Sequence, residues 1–226
     1  MVPKAVLVIV AILSWLATAA ITVTVLTVGP IAQPGGDADA VVIGDADGVD
    51  AGEPLPRYGL LPVFELMDQE GEVFGLNDLR GSVWVVDTIF TRCTAICPTL
   101  TSGLKDVQSV LKLDEQLVNE VRLVSISIDG GHDTPGVLKK FADAYGVDPG
   151  VWTFLTGGQD VVWPLVQDGL KLPVEPGKPG DQMDILHSGK LVLIDRAGVI
   201  LGYYDGLSKA GRIEMLVDLR RLVRDE

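Results

Sequence analysis

The sequence predicts an α/β domain, a mixed sheet flanked by helices, behind a single N-terminal transmembrane helix. Three observations carry this. A charge-free apolar run opens the chain, buried-type strands alternate with amphipathic helices after residue 57, and the last strands form a hairpin instead of another crossover. With 226 residues, there is room for one domain plus accessories.

No residue from Ala5 to Gly29 is charged. A bilayer core takes about 20 apolar residues as a helix. The apolar part of a cleaved signal is usually about 7–15 residues, so the length favours an uncleaved anchor over a signal peptide. Lys4 precedes the run, Asp37 and Asp39 follow it, and no Lys or Arg appears again until Arg57. The positive-inside rule then leaves the N-terminus in the cytoplasm and everything after residue 30 outside. That means the periplasm or outer face of the inner membrane in a bacterium, or the intermembrane space in a mitochondrion. Residues 30–56 are dominated by Gly, Pro, Ala and Asp, with no base to offset the acids, and read as a flexible tether. The expected organisation is an anchor over 1–29, an acidic linker over 30–56 and one globular domain over 57–226.

Within the domain, Val63–Met67 and Glu72–Phe74 flank Gln69-Glu70-Gly71 as a hairpin. Val83–Phe90 is β-branched and aromatic and reads as a central strand. A helix is expected from about Pro98 to Leu113, with Leu100, Leu104, Val107, Val110 and Leu111 on one side. Val121–Ile128 is a second buried strand, Gly136–Tyr145 a short helix, Val151–Leu155 a strand and Gln159–Leu170 a helix. Leu191–Asp195 and Val199–Tyr204 flank Arg196-Ala197-Gly198 as a second hairpin. Lys209–Arg224 closes the chain as a helix, with Ile213, Leu216, Val217, Leu219 and Leu222 as its apolar face.

The net charge of −13 makes the chain a poor partner for nucleic acid, since it cannot neutralise phosphates. Only two cysteines and two histidines are present. Cys93 and Cys97 are too close in sequence for a disulfide between them to constrain the unfolded chain much. They sit in Phe90-Thr91-Arg92-Cys93-Thr94-Ala95-Ile96-Cys97-Pro98, where a buried strand gives way to a helix. The free N–H groups of a helix start favour a thiolate. Pro98 is tolerated in the first turn, where its missing N–H costs nothing. A four-residue offset turns two side chains to one side of a helix, and two thiolates facing one way form a soft pincer for Cu(I), zinc or an iron–sulfur cluster. Packing of two buried cysteines is the bland alternative.

This pattern resembles the SCO/SenC family in its strand followed by Phe-Thr-x-Cys-x-x-x-Cys-Pro. The resemblance continues through Ser127-Ile128-Asp129 with Asp133-Thr134-Pro135, and through His187-Ser188 followed by LVLID, a Gly turn and Gly202-Tyr203-Tyr204. It covers essentially all of residues 57–226. It implies a thioredoxin-like fold, copper as Cu(I) or Cu(II) held by Cys93, Cys97 and His187, and assistance in assembling the CuA centre of cytochrome c oxidase. Implied partners are the CuA subunit of the oxidase, a copper donor protein and a thiol reductant. Several positions depart from the family pattern. Thr94-Ala95-Ile96 replaces the common Pro-Asp-Val, Leu186 stands where an Asp commonly precedes the histidine (with Asp184 nearby), and Gly130-Gly131-His132 follows Asp129. With Leu186 in place of that Asp, no neighbouring carboxylate is assigned to orient the His187 ring.

Other residues admit two readings each. His132, in a Gly-Gly loop, is expected at the surface. Asp133, Thr134 and Pro135 read as a helix start, with Asp133 or Thr134 as the cap. Asp129 either tunes the thiols or closes a turn. Arg92 either favours a thiolate or points to solvent. Met183, four residues before His187, is a thioether donor or, as favoured here, packing, and the Pro/Gly-rich loop Lys171–Asp184 before the histidine either closes over the metal or is a surface excursion. Two competing functions need only the cysteines. One is a membrane-anchored thiol–disulfide oxidoreductase using Cys93 and Cys97 as a redox-active pair, and the other is a peroxide-reducing enzyme using Cys93. Thioredoxins carry Cys-x-x-Cys, so the third intervening residue and His187 shift the weight towards metal.

Overall fold

The computed structural model describes residues 53–177 and 185–224. The expected anchor and nearly all of the linker lie outside the described residues. No described helix is long and apolar enough to cross a membrane.

The domain is built on an eight-stranded mixed sheet in the order β1-β10-β9-β4-β5-β6-β2-β3. Its strands are β1 (Gly59–Leu60), β2 (Glu65–Asp68), β3 (Val73–Gly75), β4 (Val83–Ile89), β5 (Val121–Ser127), β6 (Trp152–Thr156), β9 (Lys190–Ile194) and β10 (Val199–Asp205). β4, β5 and β6 run parallel, as crossover helices require, while β9 and β2 add to them antiparallel. All seven residues of β4 are buried, which explains why its sequence reads as a continuous apolar run instead of an alternation. A separate two-stranded ladder, β7 (Val174–Pro176) with β8 (Ile185–His187), was not legible in the sequence.

The helices are α1 (Leu76–Leu79), α2 (Cys97–Leu111), α3 (Glu115–Glu120), α4 (Pro135–Tyr145), α5 (Gln159–Pro164) and α6 (Lys209–Arg224). The unpredicted α3 begins at Asp114, whose carboxylate accepts the N–H groups of Gln116 and Leu117. The helix expected over 159–170 changes character after Pro164 into a π-helical turn, Leu165–Gly169. Proline has no N–H and crowds the preceding turn, and the chain widens there. The apolar face expected for α6 is rotated. Gly211, Met215, Leu219 and Val223 are buried, whereas Ile213 and Val217 are exposed. Gly211 fixes this orientation, because a Cβ there would lie 2.4 Å from the Asp205 carbonyl oxygen. The helix approaches β10 backbone to backbone at that point, and the stripe of fourth residues from it faces the sheet.

The chain enters this domain at one end of the sheet. Arg221 donates to the Glu53 carbonyl, Arg57 pairs with Asp195 and Tyr58 N–H bonds to Ile200. Pro54 and Leu55 line a cleft beside Val83, the first residue of β4. The motif containing the cysteines follows the last residue of the same strand, at the opposite end.

Candidate metal centre

Three elements each deliver one soft or borderline donor. Phe90 leaves β4 and a tight turn follows, with the Cys93 N–H bonded to the Phe90 carbonyl at 3.1 Å. Cys97 is the first residue of α2, with Pro98 in its first turn as expected. Cys93 therefore lies ahead of the helix, and the convergence comes from the turn, not from a shared helical face. His187 ends β8, where pairing with Val174 sets its register.

The two sulfurs and one imidazole nitrogen all lie within 4.8 Å of one another, and Cys97 Sγ is 3.3 Å from His187 Nε2. Metal bonds of ~2.0–2.3 Å to nitrogen and sulfur require donors roughly 3.5–4.6 Å apart, so the separation fits a shared ion with little movement. Two thiolates and an imidazole are a soft-to-borderline set of the kind copper favours. Both cysteines are buried and free, and Phe90 packs edge-on against the His187 ring at 5.4 Å.

Burial dominates the electrostatics. It pushes the Cys97 thiol well above its ordinary range; Cys93 and Asp87 nearby add to this, and a backbone hydrogen bond at Phe90 opposes it. The helix-start argument predicts the reverse for Cys97. A helix terminus is worth about 0.3–1 kcal/mol, less than one pH unit, whereas burial moves a group by up to about 3–5 pH units. Desolvation wins. Burial lowers the His187 pKa, and the Ser188 and Thr88 backbones partly offset it. The ring is neutral at pH 7 and keeps a lone pair for a metal. Among the described residues its buried Nδ1 makes no hydrogen bond of good geometry, so the Ser188 and Thr88 backbones act on it only as loose contacts. No carboxylate among the described residues orients it, and Asp184 and Met183 lie outside them.

A buried polar relay runs beneath the site. Trp152 Nε1–H donates to Ser125 Oγ at 2.9 Å, and Ser125 donates to Asp87 Oδ1 at 2.6 Å. Asp87 Oδ2 has no hydrogen-bond partner among the described residues, and burial pushes this carboxyl up to about 7 against the pull of the Ser125 bond. The sequence reading passed over Asp87. A lone acid inside VWVVDTIF is the signal that marks it, since an acid in a buried strand is costly unless neutral or paired.

The loop after β5 also differs from expectation. Thr134 holds the cap position of α4, but its side chain makes no capping bond. Asp133 turns inward to Thr91 and Ser127. Asp129 does two things: its carboxylate pairs with Arg92 at 2.6 Å, and its carbonyl accepts the His132 and Asp133 N–H groups. His132 is at the surface as expected, and its Nδ1 lies 2.9 Å from Asp133 Oδ1. Gly130 has a steric reason: a Cβ there would stand 1.9 Å from the Gly157 carbonyl oxygen.

Comparison with known proteins gives one consistent answer. The family model described as SCO1/SenC matches residues 54–224. The SCO1 protein homolog of Bacillus subtilis (strain 168) is 32% identical over 169 residues, covering 74% of this chain and 84% of that protein. The structure of BsSco, described as a member of the Sco family of cytochrome c oxidase assembly proteins with a disulfide switch, superposes with a TM-score of 0.67 at 29% identity. That match covers 77% of this chain and 100% of the other. Copper-bound ScoI of Bradyrhizobium japonicum shares the fold with a TM-score of 0.61 at 22% identity, over 73% of this chain and 99% of that one. The thioredoxin-like α/β fold expected from the motifs is thus the fold observed.

Proposed function

The chain belongs to the SCO1/SenC family, and from that premise we propose that it is a metallochaperone whose cargo is copper. Cys93, Cys97 and His187 hold the ion, and the protein passes it to the CuA-bearing subunit of cytochrome c oxidase. The observation that carries this reading is the convergence of these three donor types within 4.8 Å from a turn, a helix start and a strand end. Two thiolates alone suffice for linear Cu(I). The imidazole adds a third donor and accommodates Cu(II), which favours nitrogen. Because Cys97 is held protonated by burial, loading expels a proton and unloading takes one back. A nearly closed site whose occupancy is coupled to protons suits capture and release better than turnover.

We place residues 1–29 in a membrane as an anchor, residues 30–56 between anchor and domain, and the domain outside the cytoplasm. A copper donor and a thiol reductant complete the cycle, since disulfides persist in such compartments and only reduced thiols bind copper.

Thiol–disulfide exchange is the second reading, favoured by the close approach of Cys93 and Cys97. An attacking thiol needs exposure and a thiolate. Cys93 is 6% exposed and Cys97 1%, which weighs against exchange as the main activity. The deciding experiment measures copper stoichiometry and affinity of the reduced chain beside Cys93→Ser, His187→Ala and His132→Ala. One copper per chain, lost with Cys93→Ser, weakened roughly 10-fold or more by His187→Ala and unaffected by His132→Ala, supports delivery. Full copper retention by His187→Ala, with oxidase assembly intact, moves the assignment to the reductase.

A further inference from the structure

Asp133 is completely buried, yet no Lys or Arg side chain contacts it among the hydrogen bonds it makes. Its Oδ2 accepts the Thr91 N–H at 2.9 Å and the Ser127 hydroxyl at 2.6 Å. Its Oδ1 accepts the Thr91 hydroxyl at 2.5 Å and lies 2.9 Å from His132 Nδ1. A buried carboxylate is costly unless its lone pairs are filled, and here four contacts fill them. Two of the four go to one residue 42 positions away in sequence, Thr91, which stands two residues before Cys93.

The local job available to this side chain is left undone. α4 starts two residues on, at Pro135, and neither Asp133 nor the cap residue Thr134 gives it a side-chain bond. The carboxylate is committed to the other loop instead. That loop is gripped a second time when Asp129, from the same segment, pairs with Arg92. Adjacent residues 91 and 92 are therefore both held by the segment 129–133, while the Cys93 N–H closes a turn onto Phe90. The other two ligands are set by regular structure, Cys97 by the first turn of α2 and His187 by the β7–β8 ladder. Cys93 alone sits on irregular backbone, and its place relative to the others depends on this grip.

We propose that Asp133 is a positioning residue for the metal site: through Thr91 it fixes where Cys93 Sγ stands relative to Cys97 and His187. The inference rests on the reading of Cys93 as a ligand. Ser127, at the end of β5, completes the arrangement by anchoring the carboxylate to the sheet, so the turn is referenced to the rigid core.

The test uses the full chain in detergent, reduced, as wild type, Thr91→Val, Thr91→Ser and Asp133→Asn. Thr91→Val keeps the side-chain shape and removes only the hydroxyl. Two quantities are read: Cu(I) affinity by competition with a chelator, and the alkylation rates of Cys93 and Cys97 in the metal-free protein by iodoacetamide and peptide mass spectrometry. Thr91→Val is expected to weaken copper about 10-fold and to speed alkylation of Cys93 about 10-fold while leaving Cys97 unchanged. Thr91→Ser, which restores the hydroxyl, should match wild type, and Asp133→Asn should exceed Thr91→Val in the same direction. The proposal is overturned if Thr91→Val leaves Cys93 at the wild-type rate. It is equally overturned if both cysteines speed up together, the mark of general loosening. A wild-type chain that binds no copper defeats the functional reading, and the alkylation rates still decide the positioning.

Discussion

Replacing Asp87 by Asn tests the account of the buried relay. The carboxyl is pushed from its ordinary 3.8 up to about 7, chiefly by burial. Below 3.8 both folded and unfolded chains carry the proton, and stability is insensitive to this group. Between 3.8 and 7 the unfolded chain has released the proton and the folded chain keeps it, so stability falls as pH rises. Above 7 both forms are ionised and the loss is complete, on the order of 4 kcal/mol at ~1.36 kcal/mol per pH unit. Asn cannot titrate. Its Oδ1 still accepts the Ser125 hydroxyl, so the bond from Trp152 onward survives. Its Nδ2–H2 replaces an oxygen that has no hydrogen-bond partner among the described residues, much as the protonated acid places an O–H there. Urea unfolding of residues 53–226, reduced and metal-free, at pH 5, 6, 7 and 8 then gives two profiles. Other groups titrate in both proteins and cancel in the difference. Asp87→Asn should gain on wild type by about 2 kcal/mol between pH 5 and 7, while the folded carboxyl passes its midpoint, and the gain should level off at about 3 kcal/mol by pH 8. Parallel profiles would refute the claim that Asp87 stays protonated in the fold.

Further outcomes follow from the same structure. Copper affinity should climb with pH between about 6 and 8, near tenfold per pH unit for each thiol that must ionise, because burial holds Cys97 protonated; calorimetry in buffers of different ionisation enthalpy counts the protons released. A pH-independent affinity contradicts the raised thiol. A reporter fused after residue 226 should be active only outside the cytoplasm, with the protein in the membrane fraction, and a soluble processed form as the main species would replace the anchor by a cleaved signal.

Much of the architecture was legible because it is encoded locally. β4 announces itself as an unbroken apolar and β-branched run, and the closing helix was placed over Lys209–Arg224, where it is found. The candidate trio Cys93, Cys97 and His187, which the fold brings together, stood out because the chain contains so few cysteines and histidines. The failures share one physical origin: they depend on what lies across space. The face of α6 is set by the close approach of Gly211 to Asp205. Asp133 looks like a helix cap beside Thr134-Pro135, and only the fold brings Thr91 within its reach. Cys97 sits at a helix start, but the layers above it remove the solvent that a thiolate needs. β7 and β8 are three residues each, too short for a period to register, and their ladder exists only because the chain doubles back.

The position where the chain enters the domain has a mechanical consequence. Force arriving through residue 53 passes to the end of α6 through Arg221 and to β10 through Tyr58. The three donors stand beyond the far end of β4, about 20 Å along a fully buried strand, outside that load path. The domain can therefore be held, or pulled, by its leading residues without bending the donors out of register. The residues that grip the leading segment and the three candidate donors thus lie at opposite ends of β4.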